Sequence, residues 1–205
     1  MEEASSLRGM SVIGSDRRNV ELKATDPDPE WSVAVCRVLG ADDCGVITQR
    51  DTYFHVEHGG LLKLREEKPG RPHLIHFNRA DGPQERQSSY RIVAVEDGDG
   101  LRAALGAALG VRGVISKRRR LFLWKAVRIH LDQVDGLGCF IELEAVAPPE
   151  SDLGLEYRLV TQLREQFAIT DDRLCGSGYA DLLRRTSHSE RLLAPQMSVG
   201  ARLRP

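Results

Sequence analysis

Apolar and charged positions alternate along the middle of this chain. Four apolar segments, NVELK, LLKLR, VISKRRRLF and FIELE, each carry two charges at i and i+2: Glu21/Lys23, Lys63/Arg65, Lys117/Arg119 and Glu142/Glu144. Residues two apart share a face of a β-strand, so each doublet points both charges one way from a strand whose other face is free to be apolar. Either those charges look outward to water, or they line the inside of a closed sheet.

The pattern predicts a strand over 18–24, closed by the proline- and aspartate-rich TDPDP, and a helix from Glu30 to Leu39 with Trp31, Val35 and Leu39 on its core face. Gly45–Val56, rich in β-branched and aromatic residues, reads as the next strand, with HGG (58–60) as a hairpin turn. Further strands are expected over Leu61–Glu66, His73–Arg79 and Arg86–Val95. A helix over Leu101–Leu109 follows, with Leu101, Leu105 and Leu109 in one stripe. Then come strands over Val111–Leu123, Lys125–Asp132 and Gly138–Val146. A helix over Asp152–Phe167 carries Leu155, Leu159 and Leu163, and a short helix covers 177–185. Eight strands interrupted by helices, rather than alternating with them, predict an α+β domain on an antiparallel sheet. Eight is also about the number at which a sheet closes into a small barrel.

The 205 residues suffice for one domain with a real core, and the formal net charge of −1 argues against a general nucleic-acid binder. No apolar run reaches the ~20 residues a spanning helix needs, and MEEASSLRGM lacks the apolar stretch of a secretory signal, so a cytoplasmic protein off the membrane is expected. Residues 1–16 read as a disordered leader, 17–184 as the folded domain and 185–205 as a flexible tail. Cys36, Cys44, Cys139 and Cys175 lack metal-ligand spacing and read as reduced thiols. No P-loop, GxGxxG or GxSxG is present.

The doublets carry the chemistry. The pairs at 63/65 and 117/119 are purely basic and the pair at 142/144 purely acidic, whereas a face built for solubility mixes signs. Glu142 and Glu144, joined by Glu21, offer hard oxygen ligands suited to Mg2+ or Mn2+. A triphosphate carries roughly four negative charges, which Lys23, Lys63, Arg65, Lys117, Arg119 and Arg128 are able to offset. Cations buried without such a ligand are very costly, so a charged lumen implies a charged ligand. Lys117–Arg120 also reads as a basic patch, but its VIS and LFL flanks favour a strand.

RNVELKA, QRDTYF (49–54), LLKLRE (61–66), LIHFNRAD (74–81), SKRRRLFLWKAVRIHLDQVDGLGCFIELEAV (116–146) and GSGYADLL (176–183) together resemble the CYTH superfamily, the triphosphate tunnel metalloenzymes, over residues 17–183. The stretch RIHLDxVxGLGxFxExE is the most specific, and the likeness is nearest to the class IV adenylyl cyclase branch. The resemblance implies an eight-stranded antiparallel barrel that holds a triphosphate and divalent metal. It makes Glu21, Glu142 and Glu144 the metal ligands, and Lys23, Lys63, Arg65, Arg79, Arg86, Lys117, Arg119 and Arg128 the triphosphate contacts, with Asn78 an alternative to Arg79. The catalytic set is Glu21, Glu142, Glu144, Arg128 and Asp132. The implied reaction is ATP to cyclic AMP and pyrophosphate. Hydrolysis of a nucleotide, thiamine triphosphate or tripolyphosphate is the alternative, and binding without turnover a third reading. The partners it implies are a nucleotide or inorganic triphosphate, with neither nucleic acid nor membrane; a homodimer is left open. Asn19 stands where the family's opening ExExK has its first glutamate, Ser88 and Tyr90 replace glutamates common on the fifth strand, and the fourth strand lacks its lysine.

Overall fold

The computed structural model describes residues 17–184, apart from 58, 80, 81 and 83. Its elements run β1 (Arg17–Thr25), α1 (Pro29–Val38), β2 (Asp42–Phe54), β3 (Leu61–Lys68), β4 (His73–Arg79), β5 (Arg86–Ala94), α2 (Gly98–Leu109), β6 (Val111–Trp124), β7 (Val127–Val134), β8 (Gly138–Ala147) and α3 (Gly154–Gln166). A 3-10 turn over Asp171–Arg173 follows, and residues 179–184 are helical. The expected leader and tail lie outside the described residues, as does the first position of the HGG turn.

The strands close into one antiparallel barrel in the order β1-β5-β4-β3-β2-β6-β7-β8. Closure removes every sheet edge and separates an inner from an outer face. β1 shows the division. Val20, Leu22 and Ala24 are fully buried outside the barrel, while Asn19, Glu21 and Lys23 alternate with them and face in. The main apolar core therefore lies on the outer skin. Val20, Leu22, Phe122, Val127, Ile129, Ile141 and Leu143 meet Leu159, Val160, Leu163 and Phe167 of α3 and its C-terminal end, with Cys36 from α1. Each fully buried side chain of this kind contributes about 1.5–3 kcal/mol.

A second apolar cluster closes one end of the lumen. Tyr179 and Ala180, from the helical turn after the barrel, pack on Tyr53, Ile115, Val134 and Phe140. The segment is held by a bridge between Ala24 and Leu174 and by the Cys175 amide, which donates to the Lys23 carbonyl (2.8 Å).

Several boundaries differ from the sequence reading for local reasons. β2 starts at Asp42 rather than Gly45, because a bulge between Asp43 and Val46, with Gly45 at φ 89°, carries the pairing with β6 through an apparent turn. β7 starts at Val127 rather than Lys125, because Lys125 turns the hairpin at φ 52°. α1 begins one residue early: Asp28 caps it by accepting from the Trp31 amide (3.0 Å), with Pro29 as the first helical residue. Its fully buried residues are Ser32 and Cys36; Val35 and Leu39 of the expected stripe pack partly buried against the core, while Trp31 is 41% exposed and meets Phe167 edge-on. On α3, Leu159 and Leu163 of the expected stripe are buried together with Glu156 and Val160, while Leu155 is 53% exposed. Leu109, the third residue of the α2 stripe, is exposed. All four cysteines are free thiols, and only Cys36 is buried. Among the described residues no helix is long and apolar enough to cross a membrane.

Candidate functional site in the barrel lumen

The alternation that sends apolar residues out sends the charged doublets in. Lys23, Lys63, Arg86, Lys117 and Arg119 are buried, and Arg65, Arg128, Glu21, Glu142 and Glu144 are half-buried. Cross-strand register joins them: Glu21 pairs with Glu144 and Lys23 with Glu142 between β1 and β8, Arg128 with Glu144 and His130 with Glu142 between β7 and β8, and Glu21 with Arg86 between β1 and β5.

The two basic doublets are built alike. On β3, Lys63 Nζ donates to Asp51 Oδ2 (2.9 Å), and Arg65 grips the same carboxylate through Nε and an Nη (both 2.7 Å). On β6, Lys117 Nζ donates to Asp132 Oδ2 (2.9 Å), and Arg119 grips that carboxylate through Nε and an Nη (both 2.6 Å). Each Lys-x-Arg doublet is thus clamped by one aspartate of a neighbouring strand, Asp51 from β2 at 1% exposure and Asp132 from β7 at 2%. Such forked, charge-assisted bonds fix guanidinium direction as well as charge. Asp132 takes a further bond from the Tyr179 hydroxyl (2.9 Å), whose ring lies 4.0 Å from Lys23 Nζ and 5.0 Å from Lys117 Nζ.

The acidic side is equally paired. Glu142 meets Lys23 (2.9 Å), Arg119 (2.7 Å) and His130 Nδ1 (3.4 Å). Glu144 accepts from the Asn19 amide and meets Arg128 (3.5 Å). Glu21 accepts from Arg86 Nε (3.1 Å), and Arg86 also donates to the Gly176 carbonyl (3.2 Å). Among the described residues no three His, Cys, Asp or Glu side chains stand together as an ion's ligand shell. The sequence-predicted Glu21, Glu142 and Glu144 share one stretch of wall on two adjacent strands, each turned toward a cation or an amide.

These contacts set the protonation states. Burial alone would raise the Asp51 carboxyl; Arg65 and Lys63 override it and hold it well below the usual range. Burial also opposes ionisation of Asp132, and Arg119 and Lys117 override it in the same way. Lys23 and Arg119, with the His130 bond, keep Glu142 ionised against burial, and Arg128 does so for Glu144. The lysines move the other way: burial and Arg65 push Lys63 down to about 8, and burial and Arg119 push Lys117 down to about 7. Burial and Arg119 lower His130, which leaves a neutral ring beside Glu142.

Of the twelve site residues read from the sequence, eleven face this lumen. The twelfth, Arg79, ends β4 opposite Ser88, and its side chain lies outside what the structure describes. Asn78, its alternative, has an exposed side chain. Asp132 shares Arg119 with Glu142 and takes its other bonds from Lys117 and the Tyr179 hydroxyl. The apparent sorting of charge by sign is local to each strand, since neighbouring strands supply the opposite charge. Asp51 and Tyr179 are lumen residues the sequence reading missed. Both lie in stretches it singled out, but a search for charged doublets passes over a lone aspartate and an aromatic.

A closed antiparallel barrel with an ionic interior defines a tunnel-type domain. The CYTH domain family model matches residues 17–165, and the chain belongs to that family. Among solved structures, the PH1012 protein of Pyrococcus horikoshii is similar at 21% identity and a TM-score of 0.72, over 80% of this chain and 99% of that one. A candidate adenylate cyclase from Vibrio parahaemolyticus is similar at 21% identity and a TM-score of 0.66, over 81% and 97%. Another from Bacillus halodurans is similar at 13% identity and a TM-score of 0.51, over 82% and 98%. At these identities the likeness establishes the fold alone. No curated protein matches the chain.

Proposed function

We propose that this protein is a divalent-metal-dependent enzyme of the class IV adenylyl cyclase type, converting ATP to cyclic AMP and pyrophosphate within the barrel. The observation that carries the reading is the convergence of both Lys-x-Arg doublets, Lys23, Arg86 and Arg128 with three glutamates inside one closed barrel. Buried ion pairs are poor stabilisers; an apolar filling of similar volume holds a fold as well or better. A lumen kept ionic at that cost serves a polyanion. Family membership and the shape shared with the two candidate cyclases support the nucleotide version.

The donor set fits a hard cation. Glu21, Glu142 and Glu144 supply carboxylate oxygens, and Asn19 Oδ1 is a buried acceptor oxygen with no hydrogen-bond partner of its own. Glu21, Glu142, Glu144 and Asn19 would hold Mg2+ or Mn2+, and the chemistry such an ion would supply when bound is Lewis-acid activation of the attacking hydroxyl and neutralisation of phosphate charge. The chain's own residues do the rest. Lys63, Arg65, Lys117 and Arg119, aimed by their aspartates, bind the phosphates and stabilise charge on the departing pyrophosphate. Lys23, Arg86 and Arg128 hold the glutamates in place until substrate arrives. Tyr179 and its apolar neighbours seal the far end against water.

Incubation with Mn2+ and ATP followed by product separation is the test: cyclic AMP with pyrophosphate is expected. ADP or free phosphate would replace the cyclase with the hydrolase. Unchanged ATP together with measurable tripolyphosphate binding would leave a binding module.

Two further outcomes are expected. Lys63→Ala weakens triphosphate affinity by about 10–100-fold, the scale of one lost charge-assisted contact, while calorimetric melting changes little, because Arg65 still holds Asp51. Unaltered affinity would remove Lys63 from the site. ATP affinity also depends on pH. The ligand is fully ionised above about pH 7, and it binds the protonated lysines. Lys63 and Lys117, titrating at about 8 and about 7 in the free protein, lose that charge as pH rises. Affinity therefore falls from neutral to alkaline pH, and in Lys63→Ala the upper part of that fall disappears. The free protein shows the opposite trend. Both lysines sit below the ordinary lysine value, so the unfolded chain binds more protons between the two, and stability rises with pH across that window.

A further inference from the structure

The basic run Lys117–Arg120 divides between the two faces of β6. Lys117 and Arg119 point into the lumen, and Arg118 and Arg120 point out. Arg120 is paired with Asp43. The exposed Arg118 side chain has no hydrogen-bond or ion-pair partner among the described residues. It borders a groove of about 290 Å3 on the outside of the barrel, between α1 and strands β2, β6, β7 and β8. Val33 of α1, Val46 beside the β2 bulge and Leu131 of β7 give this groove apolar walls, and Val46 is left half-exposed. Asp26, just ahead of α1, also lines it and is only 5% exposed. One of its carboxylate oxygens accepts from the Ser32 hydroxyl (2.9 Å); the other, Oδ2, is buried with no partner. Burial raises this carboxyl against the Ser32 bond. A buried acceptor left unpaired is costly, and natural folds rarely keep one without a use.

Strand register sets the distance between the two unpaired groups. Arg118 pairs with Gln133, Gln133 pairs with Cys139, and the Cys139 carbonyl accepts from the Asp26 amide (2.9 Å). Three strand steps put the two backbones about 14 Å apart along the sheet. At that spacing Arg118 and Asp26 stand at opposite ends of the groove, with the apolar walls between them. We infer that this groove is a binding site for an elongated small molecule, with an anionic group at one end, an ammonium or similar donor at the other, and an apolar body between. The anion meets Arg118, the donor meets Asp26 Oδ2, and the body lies on Val33, Val46 and Leu131. The volume suits a small molecule, since it falls near the lower end of the ~300–1,000 Å3 typical of such sites. The groove lies behind the Asp132 clamp, on the opposite face of the same strands, and the inference is independent of the triphosphate reading.

The test titrates three probes into isotope-labelled protein and follows amide NMR shifts: ε-aminocaproate, which carries both end groups, caproate, which lacks the donor, and hexylamine, which lacks the anion. Saturable shifts centred on α1 and on Arg118, Leu131 and Gln133 are expected with ε-aminocaproate. Caproate and hexylamine should each bind about tenfold more weakly or worse, the scale of one lost charge-assisted contact. Arg118→Ala should lower ε-aminocaproate affinity by about the same factor and leave that of hexylamine within about twofold. Asp26→Asn should do the same with caproate as the indifferent probe. Thermal melts confirm folding; should Asp26→Asn fail to fold, the exposed Arg118→Ala decides alone. Absence of saturable binding, equal affinity for all three probes, or an ε-aminocaproate affinity indifferent to Arg118→Ala would overturn the site. Shifts confined to lumen residues and abolished by excess tripolyphosphate would overturn it too, by placing the probe inside the barrel.

Discussion

Replacing Glu142 or Glu144 with glutamine lowers metal-dependent turnover of ATP by about a thousandfold or more, the loss expected when several kcal/mol of metal-borne stabilisation goes. Glutamine keeps the size and one acceptor oxygen but removes the charge that draws a divalent ion. The fold survives because what holds it lies elsewhere. Leu143 and Ile141, which alternate with the two glutamates on β8, stay buried against α3. At Glu142 the change also removes a charge shared by Lys23 and Arg119, so a melting temperature a few degrees lower is expected there. Rates with Mn2+, alongside circular dichroism and a thermal melt, check both parts. Full activity in both variants would strip the glutamates of their assigned role.

The second large effect is on stability. Asp132→Ala leaves Lys117 and Arg119 buried without the carboxylate that both of them grip, and leaves the Tyr179 hydroxyl without its acceptor. Breaking a buried pair by removing one partner costs about 3–5 kcal/mol, which for a domain of this size lowers the melting temperature by roughly 6–20 °C. Tripolyphosphate should restore more stability to this variant than to the wild type, because the ligand supplies the negative charge that the mutation removes. Denaturation with and without tripolyphosphate measures it. A variant as stable as wild type but slow in turnover would return Asp132 to the purely catalytic role expected from sequence; the two-cation clamp predicts lost stability together with slower turnover, because Lys117 and Arg119 lose the carboxylate that aims them.

Much of the fold was legible because strand alternation is a strong signal when one face is fully apolar and the other charged. Val20, Leu22 and Ala24 against Glu21 and Lys23 is such a case, and so is Ile141, Leu143 and Ala145 against Glu142 and Glu144. Alternation does not say which face is the inside. The charged faces turned out to be the lumen because helices α1 and α3 cover the outer skin, a tertiary fact with no local trace. The helix stripes were legible in part: Val35, Leu39, Leu159 and Leu163 pack on the core, but helical spacing fits more than one face, and Trp31 and Leu155 at the stripe ends are exposed. At the site, residues in doublets were found and single residues were not. Asp51 carries its significance only through β2–β3 pairing, which sets its carboxylate opposite Arg65. Tyr179 carries its own only through the return of the chain end to the barrel floor. The boundary errors at Gly45 and Lys125 come from positive-φ residues: one hides a bulge inside a strand, the other a hairpin turn between two.

The central claim is that a polyanion belongs inside this barrel, between the two clamped doublets. A crystal structure grown with Mn2+ and tripolyphosphate addresses it most directly, with the anomalous signal of manganese locating the ion. Phosphates between Lys63/Arg65 and Lys117/Arg119, with manganese against Glu21, Glu142 and Glu144, are the expected result. Anions bound only on the outer surface, with Asp51 and Asp132 still gripping their cations around a lumen that excludes both ligands, would contradict it.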